Sequence, residues 1–116
     1  MLTNVAPNAA TGRSAKLHIT DMAASAGYTA GGCTVTNVTA TQSSGTLKLV
    51  GDDCVWLGSG GAALGTLQYA VLVNCSTSVV TSALIGYWDY GSSIAVNAGE
   101  TLTVDLDQTN GILTIA

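Results

Sequence analysis

Seven carboxylates, one histidine and three cysteines are the side chains of this 116-residue sequence that could act as acids, bases, nucleophiles or metal ligands. Paired-carboxylate catalysis needs two acids converging on one pocket with their pKa values pushed apart. The acids are Asp21, Asp52, Asp53, Asp89, Glu100, Asp105 and Asp107. Asp52 and Asp53 follow Gly51 in a turn-forming context, where Asp hydrogen-bonds its own backbone. Asp105 and Asp107 share the outward side of one alternating run, where charge guards a strand edge. Those two with Gln108 and Asn110 could offer oxygen ligands to calcium, but their spacing matches no EF-hand. His18 stands without a partnering Ser or Cys motif. The run Gly58-Ser59-Gly60-Gly61 lacks the Lys and Ser/Thr that complete a phosphate-binding loop. Cys33, Cys54 and Cys75 are odd in number and form no CxxC pair, which predicts free buried thiols rather than a disulfide framework or a zinc site. Catalytic residues, cofactors and metals are accordingly not expected, and neither is an enzyme.

The aromatic residues carry a different chemistry, because Trp and Tyr anchor protein interfaces and stack on sugars. Six are present, and Tyr87, Trp88 and Tyr90 cluster within Leu84-Ile85-Gly86-Tyr87-Trp88-Asp89-Tyr90-Gly91. Alternation puts Trp88 and Tyr90 on one side of that segment and Tyr87 on the other. Both sides thus carry apolar bulk, as in a strand covered once by its own core and once by a neighbour; a core strand with one bulky edge residue is the simpler alternative. Trp56 joins these three as an expected contact residue.

Composition favours the neighbour. The chain is 47% hydrophobic but only 9% charged, against roughly 25% charged in ordinary soluble domains. Its polar surface must therefore come from Thr, Ser, Asn and Gly, which cost less to bury against a partner than Lys or Glu. A net charge of −4, with only Arg13, Lys16 and Lys48 positive, removes the basis for holding a phosphate backbone, so nucleic acid is not an expected partner. No window approaches the roughly 20 apolar residues that span a bilayer, and the first residues lack the apolar run of a signal peptide. A membrane is not an expected partner either, and the two acceptor triplets Asn37-Val38-Thr39 and Asn74-Cys75-Ser76 read as chance matches.

The elements that position these residues are strands. Period-two alternation marks Lys16–Thr20 and Thr101–Asp107, and richness in β-branched or aromatic residues marks Thr34–Thr41, Thr46–Val50, Cys54–Leu57, Thr66–Val73, Leu84–Tyr90 and Gly111–Ile115. Between them lie Gly31-Gly32, Ser43-Ser44-Gly45, Gly51-Asp52, Asn97-Ala98-Gly99 and Asn110-Gly111, all turn formers. The pattern predicts an all-β fold, an antiparallel sandwich or jelly-roll-like domain over 16–116, with a flexible N-terminal arm over 1–15. A helix over Ala9–Ala26 competes, although Gly12, Thr20 and the alternation weaken it. The arm is either a frayed terminus or a segment that orders on a neighbouring subunit, in which case Val5, Ala6, Pro7 and Asn8 are its contact residues.

The C-terminal half carries a wider pattern. An apolar strand Tyr69–Asn74 is followed by Tyr87-Trp88-Asp89-Tyr90-Gly91-Ser92-Ser93, by Ala98-Gly99-Glu100-Thr101 opening an alternating strand, and by a closing Gly111-Ile112-Leu113-Thr114-Ile115. This half resembles small structural proteins of tailed bacteriophage virions. The resemblance implies a virion component and brings no catalytic residue with it. The expected role is a capsid cement or decoration protein on the outer capsid surface, a homotrimer that binds and stabilises the major capsid protein shell. A tail or fibre component is one alternative. A carbohydrate-binding adhesin module using Trp56 and Trp88 as sugar platforms is another.

Overall fold

A computed structural model describes residues 1–8, 16–59, 62–75 and 82–116. Its regular elements are eight strands and one short 3-10 turn at Lys16–His18. The strands are β1 (Leu2–Thr3), β2 (Thr39–Ser43), β3 (Thr46–Val50), β4 (Cys54–Leu57), β5 (Gly65–Val73), β6 (Leu84–Val96), β7 (Thr101–Val104) and β8 (Leu113–Ile115). The fold is all-β, with antiparallel sheets of order β1-β5-β6, β2-β3-β8 and β4-β7. Among the described residues no helix is long and apolar enough to cross a membrane.

Contacts gather the chain into two compact units, one made of Met1–Gly32 with Leu57–Glu100 and the other of Cys33–Trp56 with Thr101–Ala116. In the first, β5 is the central strand, and its inward residues Leu67 and Val71 are buried together with Leu2, Tyr28, Leu64 and Val96. The start of the expected arm is corrected here, since Leu2 and Thr3 belong to the core. Leu2 and Thr3 are fully buried and pair with Ala70 and Tyr69. The terminal amine donates to Val71 O at 3.0 Å, and the Thr3 hydroxyl donates to Thr20 O at 2.6 Å. Two residues are too few to display a period, so composition alone could not reveal this strand. Of the rest of the expected arm, 4–8 is irregular chain and 9–15 lies outside the described residues, as does that part of the competing helix.

Lys16–Thr20, expected as a strand, is instead a 3-10 turn followed by irregular chain, closed by the Ile19 amide donating to Lys16 O at 3.1 Å. The Lys16 amide donates across to Ser82 O at 2.9 Å, so tertiary pairing takes the backbone group a ladder would have used.

In the second unit the β2–β3 hairpin turns through Ser44 and Gly45, whose φ values are 51° and 86°. Two successive positive φ angles match the right-handed twist of the flanking strands. β3 then pairs with β8, setting Leu47 opposite Ile115 and Leu49 opposite Leu113. Acidic side chains fasten the loops. Asp53 Oδ1 accepts the Leu106 amide and Gln108 Nε2 at 2.9 and 2.8 Å, and Asp52 Oδ2 accepts from Thr36 Oγ1 and Asn37 Nδ2 at 2.8 and 2.6 Å.

Candidate interaction surface

β6 runs for thirteen residues and forms one border of its sheet, bonded to β5 on one side. The register joins Val73 to Leu84, Leu72 to Gly86, Val71 to Tyr87, Ala70 to Trp88 and Tyr69 to Asp89, then resumes with Leu67 opposite Ile94. Gln68 alone therefore faces the four residues Tyr90–Ser93, a bulge three residues longer than its partner strand.

Asp89 shapes that bulge. Its Oδ1 accepts the Gly91 amide at 2.7 Å and Gln68 Nε2 at 2.9 Å. Gly91 takes a φ of 87°, a left-handed conformation costly for residues with a Cβ. Ser93 Oγ donates to Asn4 Oδ1 at 2.9 Å, joining the bulge to the segment after β1. The result is an ordered projection rather than a loose loop.

The side chains along this border are open to solvent on both faces. Tyr87 is 50% exposed, Trp88 41% and Tyr90 69%. Tyr87 sits on the face of Val71 and Tyr69 and meets the Tyr69 ring edge-on, with centroids 6.1 Å apart and planes at 67°. Trp88 takes the opposite face with Ala70. Tyr87 is thus braced by Tyr69 while part of its surface stays uncovered, which is the form of an interface anchor.

Other expected contact residues divide. Val5, Ala6 and Asn8 are exposed and Pro7 is half-buried. The Asn4–Ser93 bond brings their segment to the bulge that carries Tyr90. Trp56 is corrected: it is only 7% exposed, because β4 buries Cys54 and Trp56 and turns Val55 and Leu57 outward. Alternation correctly separated the two sets but does not state which one faces the core. The pair of sugar platforms expected at Trp56 and Trp88 is overturned for the same reason, since a buried indole cannot stack on a ligand. Ile85, Val55 and Leu57 are exposed apolar residues outside the expected contact set. The bulky neighbours of Ile85 were the available signal for it.

Six of the seven carboxylates, those of Asp21, Asp52, Asp53, Asp89, Glu100 and Asp107, accept hydrogen bonds within the chain. Asp21 accepts the Tyr28 hydroxyl at 2.5 Å and the Gly31 amide at 2.6 Å. Asp107 accepts the Asn110 amide and side-chain nitrogen, both at 2.7 Å, and the Thr109 amide at 2.8 Å. These bonds hold its carboxyl below the usual carboxylate range, those from Asn110 foremost. Glu100 caps its own turn through Asn97. Among the described residues no three His, Cys, Asp or Glu side chains gather as a metal set. An open groove of about 320 Å³ has a mostly apolar lining that includes Val5, Met22 and Leu64, with Asn4, Asp21 and Ser25 among its polar residues. Comparison with protein families, with curated proteins and with solved structures returns no match for this chain.

Proposed function

We propose that this chain is a structural subunit of a virion, a capsid cement protein that binds the assembled shell of major capsid protein through the β6 border. One observation carries the reading: a thirteen-residue border strand presents Tyr87, Trp88 and Tyr90 to solvent in a chain with 9% charged residues. Sheet borders in soluble proteins are ordinarily kept from pairing by Lys, Pro or covering loops, and exposed apolar patches mark contact sites. The virion address comes from the sequence resemblance of the C-terminal half, and the border strand lies within that half.

Cement would act by mass action. A subunit that binds the assembled shell and not its free building blocks makes opening of the shell cost the loss of its own contacts as well. Ser, Thr and Asn around the aromatics let such contacts close with little desolvation penalty.

The experiment is removal and return. Particles stripped of this chain lose heat resistance and regain it on adding back the wild type, while Trp88→Lys restores none. Unchanged heat resistance after stripping contradicts the cement role. A mass-spectrometric count per particle separates hundreds of copies, as cement requires, from the handful of a tail or fibre component.

A further inference from the structure

We infer that Cys33 and Cys54 are a latent disulfide, a modification site at which oxidation fastens β4 to the segment leading into β2. The inference stands apart from the assembly role and does not rest on it. An odd cysteine count conceals the pair: Cys75 is the surplus thiol, exposed and in the other compact unit.

Three contacts hold residues 33–36 against residues 51–54. The Asp52 amide donates to Thr36 O at 2.9 Å, and the Thr36 hydroxyl donates to Asp52 Oδ2 at 2.8 Å. Val35 Cγ1 stands 2.5 Å from the point that a Cβ on Gly51 would occupy, so the bare glycine lets the two segments close up. The third contact joins the sulfurs themselves, the Cys54 thiol being hydrogen-bonded to the Cys33 thiol. Sulfurs in hydrogen-bond contact need only a short approach to reach the S–S bond length of about 2 Å.

Burial sets the order of events. Cys54 shares the inward side of β4 with Trp56 and is 5% exposed, whereas Cys33 is half-buried and is the thiol that an oxidant meets first. A low-molecular-weight disulfide serves as that oxidant. Cys33 Sγ, as thiolate, attacks one of its sulfurs, and the other leaves and takes up a proton. Cys54 Sγ, losing its proton to solvent, then attacks Cys33 Sγ and expels the second small thiol. Two protein thiols are oxidised to one disulfide, and one small disulfide is reduced to two thiols that carry the released protons. The bond closes a ring around residues 34–53, which include β2 and β3, and stabilises this unit by restricting the unfolded chain.

The test uses the full chain with Cys75→Ser, which removes the surplus thiol. The protein is treated, dilute and in native buffer, with excess oxidised glutathione; remaining thiols are blocked in denaturant and the chain is cut with trypsin. Lys48 is the only Lys or Arg between the two cysteines, so trypsin parts them. The fragments bearing Cys33 and Cys54 are expected to travel together and to separate on reduction, and the unfolding midpoint of the oxidised chain to rise by at least about 5 °C. Cys33→Ser in the same background abolishes both effects. If Cys75→Ser fails to fold, the wild type cut further with chymotrypsin, which parts Cys54 from Cys75, decides alone. Fragments that separate without reductant, a link between two chains, or a link that forms only in denaturant each overturn the pair.

Discussion

The Tyr28 hydroxyl donates to Asp21 Oδ1 at 2.5 Å and is one of the groups that hold the buried first strand. The Tyr28 hydroxyl oxygen in turn accepts the Leu2 amide at 3.0 Å, while Asp21 Oδ2 takes the Gly31 amide. Removing the hydroxyl leaves a buried N–H and one carboxylate oxygen without this partner, each a loss of about 1–3 kcal/mol. Tyr28→Phe is therefore expected to lower stability by about 2 kcal/mol and to speed hydrogen exchange at the Leu2 amide, measured by denaturant titration and by exchange. Stability within about 0.5 kcal/mol of wild type contradicts the arrangement.

The same pair sets a pH limit. Burial, then the hydrogen bond to Asp21, raises the Tyr28 hydroxyl above its ordinary range. A proton held more tightly when folded than when unfolded stabilises fully below the unfolded value of about 10 and is lost as pH rises beyond it. The unfolding midpoint is expected to stay level from pH 7 to about 9 and to fall above about 10, with a shallower alkaline fall in Tyr28→Phe. Equal slopes in the two proteins place the alkaline loss elsewhere.

Thiol reactivity separates the cysteines. Burial, and then the Cys33 thiol beside it, pushes Cys54 up to about 12. Cys75 is exposed. Only the thiolate alkylates readily. Iodoacetamide at pH 8 should label Cys75 at least about a hundredfold faster than Cys54, followed by peptide mass spectrometry, and denaturation should abolish the difference.

The two tryptophans make a matched pair. Trp56→Ala opens a core cavity and should cost about 3–5 kcal/mol, whereas Trp88→Ala removes a half-exposed ring and should cost less than about 1 kcal/mol. Binding to stripped particles reverses the order once folding is controlled, with the loss falling on Trp88→Ala. Calorimetry and particle co-sedimentation read the two effects.

The legible parts of the sequence were those where strand composition and turn chemistry agree. Thr46–Val50 and Cys54–Leu57 are strands to the residue, and Ser44-Gly45 is the hairpin turn. The expected strand ends at Tyr90, yet β6 continues to Val96. The Asp89 carboxylate satisfies the Gly91 amide and lets residues 90–93 bulge within the strand, a tertiary solution that composition does not encode. Trp56 lies in the core because β4 turns Cys54 and Trp56 inward, a choice of face that packing makes and residue type does not. Of the interaction surface, the aromatic cluster was visible in the residues themselves, and its link to the first segment through Asn4 and Ser93 was not.

Amide hydrogen exchange at Gly86–Tyr90, compared between the free chain and the chain bound to particles, reports directly on whether this border is the contact strand. The expected result is protection by at least about tenfold on binding, concentrated on these amides. Unchanged exchange at these positions on fully occupied particles contradicts the account.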